Sequence, residues 1–508
     1  MNPGTAFSWM IALPLLAAPI IYLVGRVSGR LSQNYNAVAP ARWLAVLVLA
    51  ATGILGYIAG RAVVAGEMVQ WAVGGVVLSL DGVGLLLATV VIGLTFMVTL
   101  FSSSYMLGES GEEKYYALLV AMAGSMIGLG CATDLFNLWL WFEVMAVSSF
   151  MLVAFYRHLP AALEAGIKYL VQSAAGSALV LIGIALVLTR AGTLNLAEIH
   201  AAMATGDPSK AMLAAGALFI VGFGVKAALV PLHTWLPDAH SQAPSGISAM
   251  LSGVVIEAGL VALLRSLSCI PVVSLHSVGT LLMVVAALNM IIGNLMALRQ
   301  TQVKRLLAYS SVSHIGYMMV GFGVMITYGT PDGAAGAFFH LITHAMMKGL
   351  AFLAAGALLY AFYLAKGEHG PLLVEDLDGA ATRYPQLAFA LSVAVLGLGG
   401  LPPLAGFMSK WQIFVGSAQA QSTGVWLLVV FAALNSVLSL AYYAPLVNRM
   451  YRHAPSPAVE SGKKTTFTLQ LPLALLTLGV ALLGLWPIFS SPLTGPATAS
   501  LLAAFGFR

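Results

Sequence analysis

Apolar residues run in blocks along almost the whole chain, separated by short polar gaps. A block of roughly 20 such residues crosses a hydrocarbon layer as one helix. About fourteen spans are predicted on this basis, beginning near Phe7, Arg42, Val83, Tyr116, Leu135, Lys168, Met212, Gly246, Val278, Leu306, Ala334, Ala388, Val425 and Thr468. The first block leads directly into further spans, and Tyr22 to Gly29 lacks a small-residue cleavage pattern, so it reads as a retained helix and not a removed signal peptide. The longest polar gaps, 189–210, 366–384 and 449–464, are too small for a separate soluble domain. The expected fold is an all-α integral membrane protein.

Two blocks are interrupted. The run from Gly216 to Val230 contains Lys226 and stops at Pro231-Leu-His-Thr-Trp-Leu-Pro-Asp-Ala-His240. The run from Ala394 to Leu401 stops at Pro402-Pro403-Leu-Ala-Gly406, and Lys410 follows. Proline removes a backbone donor and clashes with the preceding turn, and the carbonyls it frees at membrane depth need a cavity or packed protein around them. A simple kink accounts for either break alone. A lysine beside both breaks points instead to ion movement, because an ammonium in hydrocarbon is costly and paired broken helices are a transporter device.

Composition narrows the picture. The chain has 508 residues, 60% hydrophobic and 8% charged, with a mean hydropathy of +0.94, which excludes a soluble fold. The net charge of +5 and pI near 9.1 are explained by topology rather than by nucleic acid. Basic residues such as Arg26, Arg30, Arg299, Lys304 and Arg305 gather at one set of span ends. The opposite set holds only Arg61, Arg190, Lys210, Arg265 and Arg508, which puts both termini on the non-cytoplasmic side. Cys131 and Cys269 are isolated, so no iron–sulfur or zinc site is expected, and no phosphate-binding loop suggests ATP as a direct energy source.

Several ionisable residues fall inside spans. Glu143 lies nine residues beyond Asp134, roughly 13 Å along a helix, near mid-membrane. Desolvation disfavours the charged form of a carboxylate or an ammonium alone, whereas the two together hold each other charged. Glu143 with Lys226 therefore reads as a proton switch or as a static buried ion pair. Glu257 is a relay, a partner for a lysine, or a packing hydrogen-bond former beside Gly259. His340, His344 and Lys348 stand at i, i+4 and i+8, one stripe of a helix that must face the protein interior. Imidazole accepts on one nitrogen and donates from the other, which suits a shuttle. The two histidines lack the intervening acid of a zinc protease helix, and no metal is expected. His314 is a further candidate relay; His233, Asp238 and His240 either line an entrance or cap the next helix; Lys304 and Arg305 anchor a helix end at the interface. Lys410 is the counterpart of Lys226 at the second break, or a snorkelling side chain.

Together these motifs resemble the antiporter-like membrane subunits shared by respiratory complex I (NADH:quinone oxidoreductase), Mrp-type sodium/proton antiporters and membrane-bound hydrogenases. The resemblance covers roughly Asp81 to Trp411. It rests on Leu232-His-Thr-Trp-Leu-Pro-Asp-Ala-His240 with Ala243-Pro-Ser-Gly-Ile-Ser-Ala-Met-Leu-Ser-Gly253, on Lys304-Arg-Leu-Leu-Ala-Tyr-Ser-Ser-Val-Ser-His-Ile-Gly-Tyr317, on His344-Ala-Met-Met-Lys348 and on Gly400-Leu-Pro-Pro-Leu-Ala-Gly-Phe407. It implies a fourteen-helix core with two inverted five-helix repeats, each holding a broken helix. Four units follow: 1–115, N-terminal helices; 116–268, first repeat; 269–448, second repeat; 449–508, a loop and the last span. By the same resemblance Glu143 pairs with Lys226, Lys410 is the ionisable residue of the second broken helix, and His344 and Lys348 lie on a hydrophilic axis at mid-membrane. Glu257 departs from the pattern, since many members carry lysine there, and a carboxylate also suits a sodium ion.

The function expected is proton translocation as a subunit of a complex I-type redox-driven pump, along Glu143, Lys226, Glu257, His344, Lys348 and Lys410. The alternatives are a subunit of an Mrp-type antiporter or a membrane-bound hydrogenase, and a membrane scaffold for a soluble enzyme. No cofactor is expected in this chain; iron–sulfur clusters, flavin or quinone belong to partner subunits. The expected partners are other membrane subunits, including antiporter-like paralogues, with lipid, protons and sodium as a second ion, in a prokaryotic inner membrane.

Overall fold

The structure is a computed structural model that describes residues 1–31, 38–203, 210–271 and 274–507; Arg508 lies outside the described residues. The helices are α1 (Pro3–Leu31), α2 (Ala39–Val64), α3 (Gly82–Tyr105), α4 (Glu112–Gly130), α5 (Leu135–Val153), α6 (Pro160–Ala191), α7 (Lys210–Lys226), α8 (Trp235–Gln242), α9 (Ser245–Leu267), α10 (Leu275–Ala297), α11 (Val303–Tyr328), α12 (Pro331–Phe362), α13 (Pro385–Gly399), α14 (Ala405–Ala418), α15 (Thr423–Arg452), α16 (Phe467–Leu485) and α17 (Ser491–Ala504). Each of the predicted spans falls on one of them. Among the described residues ten helices are long and apolar enough to cross a membrane by length and composition alone. The other four predicted spans fall on α4, α7, α11 and α13. Of these α7 and α13 are halves of broken helices, while α4 opens on Glu112-Glu113-Lys114 and α11 on Lys304-Arg305.

An antiparallel hairpin, β1 (Val69–Val73) and β2 (Val76–Leu80), was not expected in an all-α chain. Gly74 and Gly75, both at positive φ, make its two-residue turn, and Gly-Gly between runs rich in valine is the pattern that specifies such a turn. Helix α17 is a second addition, after the last predicted span.

Burial follows function. The most apolar stretch of α9 is buried throughout, and α11 and α12 are buried along nearly their full length, whereas α1, α2 and α15 keep wide apolar faces outward. A helix that is apolar all round and buried belongs at the centre of a membrane bundle. Helices α10 and α11 approach so closely that a Cβ on Gly293 would lie 2.7 Å from Ser313 N and one on Gly316 2.7 Å from Ala286 O. Arg42 of α2 is buried and paired with Glu112 of α4 at 2.7 Å.

Both interruptions are real breaks. Helix α7 ends at Lys226 and α8 resumes at Trp235; α13 ends at Gly399 and α14 begins at Ala405. Each break contains a cis X–Pro bond, Val230–Pro231 and Pro402–Pro403. The freed backbone groups of the first break are met by neutral side chains. Trp235 Nε1 donates to Val225 O at 2.7 Å, and Asn289 of α10 accepts from Val230 N at 2.8 Å while donating to Ala228 O and Val312 O at 3.2 Å each. Replacing Asn289 by leucine is expected to orphan these groups and lower stability by about 1–3 kcal/mol for each. A fall in the thermal midpoint of the detergent-solubilised complex, with Asn294→Leu at the next site as comparison, measures it.

Candidate functional site

Asp134 caps α5, the helix that carries Glu143, by accepting from Asn137 N at 2.7 Å. The ammonium of Lys226, at the end of α7, is almost wholly buried. Its partners are hydroxyls: Tyr169 Oη at 2.7 Å, Ser173 Oγ at 3.4 Å and Ser149 Oγ at 3.5 Å. It also stands over the Tyr169 ring at 4.4 Å and the Phe142 ring at 5.6 Å. Tyr169 is held in turn by stacking on Trp235 at 3.9 Å. Glu143 forms no ion pair with Lys226 within 4.0 Å, contrary to the direct pairing the resemblance implies, because Tyr169 occupies the place beside the ammonium. The Glu143 Oε1 is enclosed without a hydrogen-bond partner.

The next ionisable residue is Glu257, two residues past the π-helical segment Leu251–Val255 that widens α9. Its Oε1 lies 2.7 Å from His344 Nδ1 of α12, with both side chains fully buried. Glu257 Oε2 and His344 Nε2 are buried without partners. From His344 the polar line continues through α11: the rings of His344 and His314 lie 5.1 Å apart, and His314 Nδ1 is 2.9 Å from His340 Nε2. His340 Nδ1 is 2.8 Å from Ser409 Oγ, beside Lys410 on α14. Thus α12 does present His340, His344 and Lys348 inward, as their spacing predicts.

Lys348 donates to Leu307 O at 2.8 Å and to Ser310 Oγ, next to a second hydroxyl pair, Ser252 and Ser311 at 2.6 Å. Lys410 donates to Leu398 O at 2.8 Å and Ser436 Oγ at 2.9 Å, and stands over the Tyr317 ring at 4.5 Å. It is buried, so it does not snorkel. The two lysines differ in duty: Lys410 itself covers a carbonyl freed by its break, whereas Lys226 leaves that to Trp235 and Asn289 and remains hydroxyl-bound.

The connection after the first break is mixed. Asp238 does not cap α8; it joins Arg305 at 2.6 Å and Lys168 at 3.2 Å, half-exposed. His240 is buried against Phe352 at 4.6 Å with both ring nitrogens unpartnered, and His233 is buried 6.2 Å from the Tyr309 ring with its Nδ1 unpartnered. Lys304 corrects the sequence reading: it is buried and donates to Ala243 O at 2.5 Å, closing the end of α8, while only Arg305 serves as a surface anchor. Among the described residues no three His, Cys, Asp or Glu side chains gather to hold a metal ion. Tyr169, Ser149, Ser173, Ser409 and Asn289 were missed, since a hydroxyl or amide in an apolar block shows its partner only once helices are placed.

Residues 132–439 match the family described as NADH:quinone oxidoreductase/Mrp antiporter, transmembrane. The F(420)H(2) dehydrogenase subunit N of Methanosarcina mazei is 34% identical over 432 residues, covering 83% of this chain and 84% of that protein. The NADH-quinone oxidoreductase subunit N of Desulforudis audaxviator is 29% identical over 495 residues, covering 94% of this chain and 95% of that one. Among solved structures, a chain of the membrane-bound sulfane sulfur reductase, an archaeal respiratory membrane complex, superposes with a TM-score of 0.86 at 27% identity over 98% of both chains.

Proposed function

This chain belongs to the NADH:quinone oxidoreductase/Mrp antiporter family of membrane proteins, and from that premise we propose that it carries protons within a complex I-type redox-driven pump. The reading rests on one observation: the buried sequence Glu257, His344, His314, His340, Ser409 runs from α9, which packs against Lys226 at Gly259, to the neighbour of Lys410. Ionisable groups at such depth are retained for transport, and each imidazole offers one accepting and one donating nitrogen. Glu143 modulates Lys226 through space, Lys348 sets the field at His344, and Lys410 ends the line. His240 and His233, with Asp238, are branch residues from the inner side.

The two broken helices support the division into repeats 116–268 and 269–448, flanked by 1–115 and 449–508. The distribution of basic residues favours both termini on the non-cytoplasmic side of a prokaryotic inner membrane. The relatives, subunits of NADH-quinone oxidoreductase and F(420)H(2) dehydrogenase, favour partner membrane subunits and redox groups carried elsewhere in the assembly.

His340→Phe tests the reading, because it keeps a planar ring, removes both nitrogens and breaks the line at its middle. In proteoliposomes of the assembled complex, proton uptake per electron pair is expected to lose this subunit's share while electron transfer continues. Unchanged proton uptake sinks the proposal.

A further inference from the structure

A cleft of about 620 Å³ lies between α1, α2 and α3, remote from the buried line. One wall is a face of α2 bearing Gly53, Gly56 and Gly60; the opposite wall holds Ile92 and Gly93 of α3. Helix packing explains only part of this glycine face. A Cβ on Gly60 would lie 2.7 Å from Leu85 Cδ1, whereas one on Gly53 meets only Ile92 at 3.6 Å and one on Gly93 meets nothing within 4 Å. The lining is overwhelmingly apolar, and Arg61 is its one charged residue.

Arg61 is exposed and forms no ion pair among the described residues. Its position is telling. Helix α2 is 26 residues long, about 39 Å, so its last turn reaches beyond a hydrocarbon layer of about 30 Å to the headgroups. From Gly53 to Val64 the cleft runs about 16 Å, close to the depth of one leaflet. A smaller cleft of about 230 Å³ shares Thr89, Gly93 and Leu493 with the first and continues on the other side of α3 to Ala345 and Met346, the residues after His344.

We propose that this cleft binds one anionic phospholipid, with its phosphate on Arg61, one acyl chain along Gly53 to Gly60, and the other over Gly93 toward α12. Charge complementarity selects the headgroup: a planar guanidinium offers two parallel donors to phosphate, and an unpaired arginine favours a net negative lipid over a zwitterionic one. The length of the groove selects the chain, and the missing Cβ at Gly93 joins the two clefts. The lipid would pack directly against the helix carrying the histidine line.

Native mass spectrometry of the assembled complex, delipidated and then exposed to vesicles of phosphatidylglycerol or phosphatidylcholine, tests this. One phosphatidylglycerol per copy of this chain is expected to be retained in preference to phosphatidylcholine. Arg61→Gln should weaken retention about fivefold, the effect of one basic residue at a membrane surface. Gly93→Leu, whose side chain enters open space, should abolish it with the complex intact. Equal retention of the two lipids, or full retention in Gly93→Leu, overturns the proposal. So does a photocrosslinker at Gly53 that labels a neighbouring subunit instead of lipid.

Discussion

Replacing Lys226 by methionine is expected to cut proton translocation through this chain by roughly a hundredfold while the complex still assembles. A charge at the centre of a bilayer costs about 2.5–3.5 kcal/mol when nothing is there to carry it, and each 1.4 kcal/mol is a factor of ten. Methionine matches the length of the lysine stem without the ammonium. Of the three hydroxyls it deserts, Ser149 Oγ and Tyr169 Oη already lie 2.8 Å apart and satisfy each other, and only Ser173 Oγ, at the long distance of 3.4 Å, loses its partner. Loss of transport is therefore separable from loss of fold. Lys226→Arg gives the sharper contrast. Arginine keeps the charge and the cation–π contact but does not release its proton in a protein. If Lys226 must titrate, the arginine variant is as inactive as the methionine one; if the residue is only a static charge, arginine pumps normally. Proton uptake by proteoliposomes at fixed electron-transfer rate distinguishes the two, and a pumping arginine variant ends the titration mechanism.

The separation of Glu143 from Lys226 bears on the same experiment. With Tyr169 Oη at 2.7 Å, the ammonium is held by a neutral hydroxyl and not by the carboxylate. An ammonium held by neutral hydroxyls is easier to discharge than one in a close ion pair, where removing the proton leaves a buried anion unmatched. On the proposed reading Lys226 is the lysine that alternates between states, while Lys410 is bound to Leu398 O and Ser436 at the second break.

What the sequence made legible was whatever depends on one helix at a time. Pro231 and Pro402-Pro403 announced the breaks because proline acts on its own turn. The stripe of His340, His344 and Lys348 followed from helical spacing alone. Hidden were the facts that depend on two helices. Asn289 sits in an apolar block that looks like any other until α10 meets the break of α7. Lys304 and Arg305 are neighbours with the same charge, yet one is buried against Ala243 and the other faces Asp238, a difference made by helix rotation. The hairpin Val69 to Leu80 was legible and overlooked, because alternation is drowned when most residues in a chain are apolar; Gly74-Gly75 was the local signal.

Glu257 carries the second large effect, and the outcome expected is that Glu257→Gln assembles normally yet translocates protons at roughly a hundredth of the unmodified rate. Glutamine keeps an oxygen to accept from His344 Nδ1–H at the observed 2.7 Å, so the packing of α9 on α12 survives. It removes the one property that an amide lacks, the capacity to take the proton and return it. The paired but half-satisfied geometry makes that exchange cheap: with Oε2 and His344 Nε2 both enclosed and unpartnered, carboxylate with imidazolium and carboxylic acid with imidazole have the same total charge in the same space. Glu257→Lys probes the departure from the family pattern directly. An ammonium at hydrogen-bond distance from the His344 ring repels a protonated imidazole by about 4 kcal/mol at an effective dielectric of 20. The lysine variant is therefore expected to be no more active than the glutamine one, with neither responding to added sodium. Full pumping by Glu257→Lys would mean that the carboxylate is incidental and that protons pass His344 without it; recovery of the glutamine variant by sodium would instead assign this position to a cation.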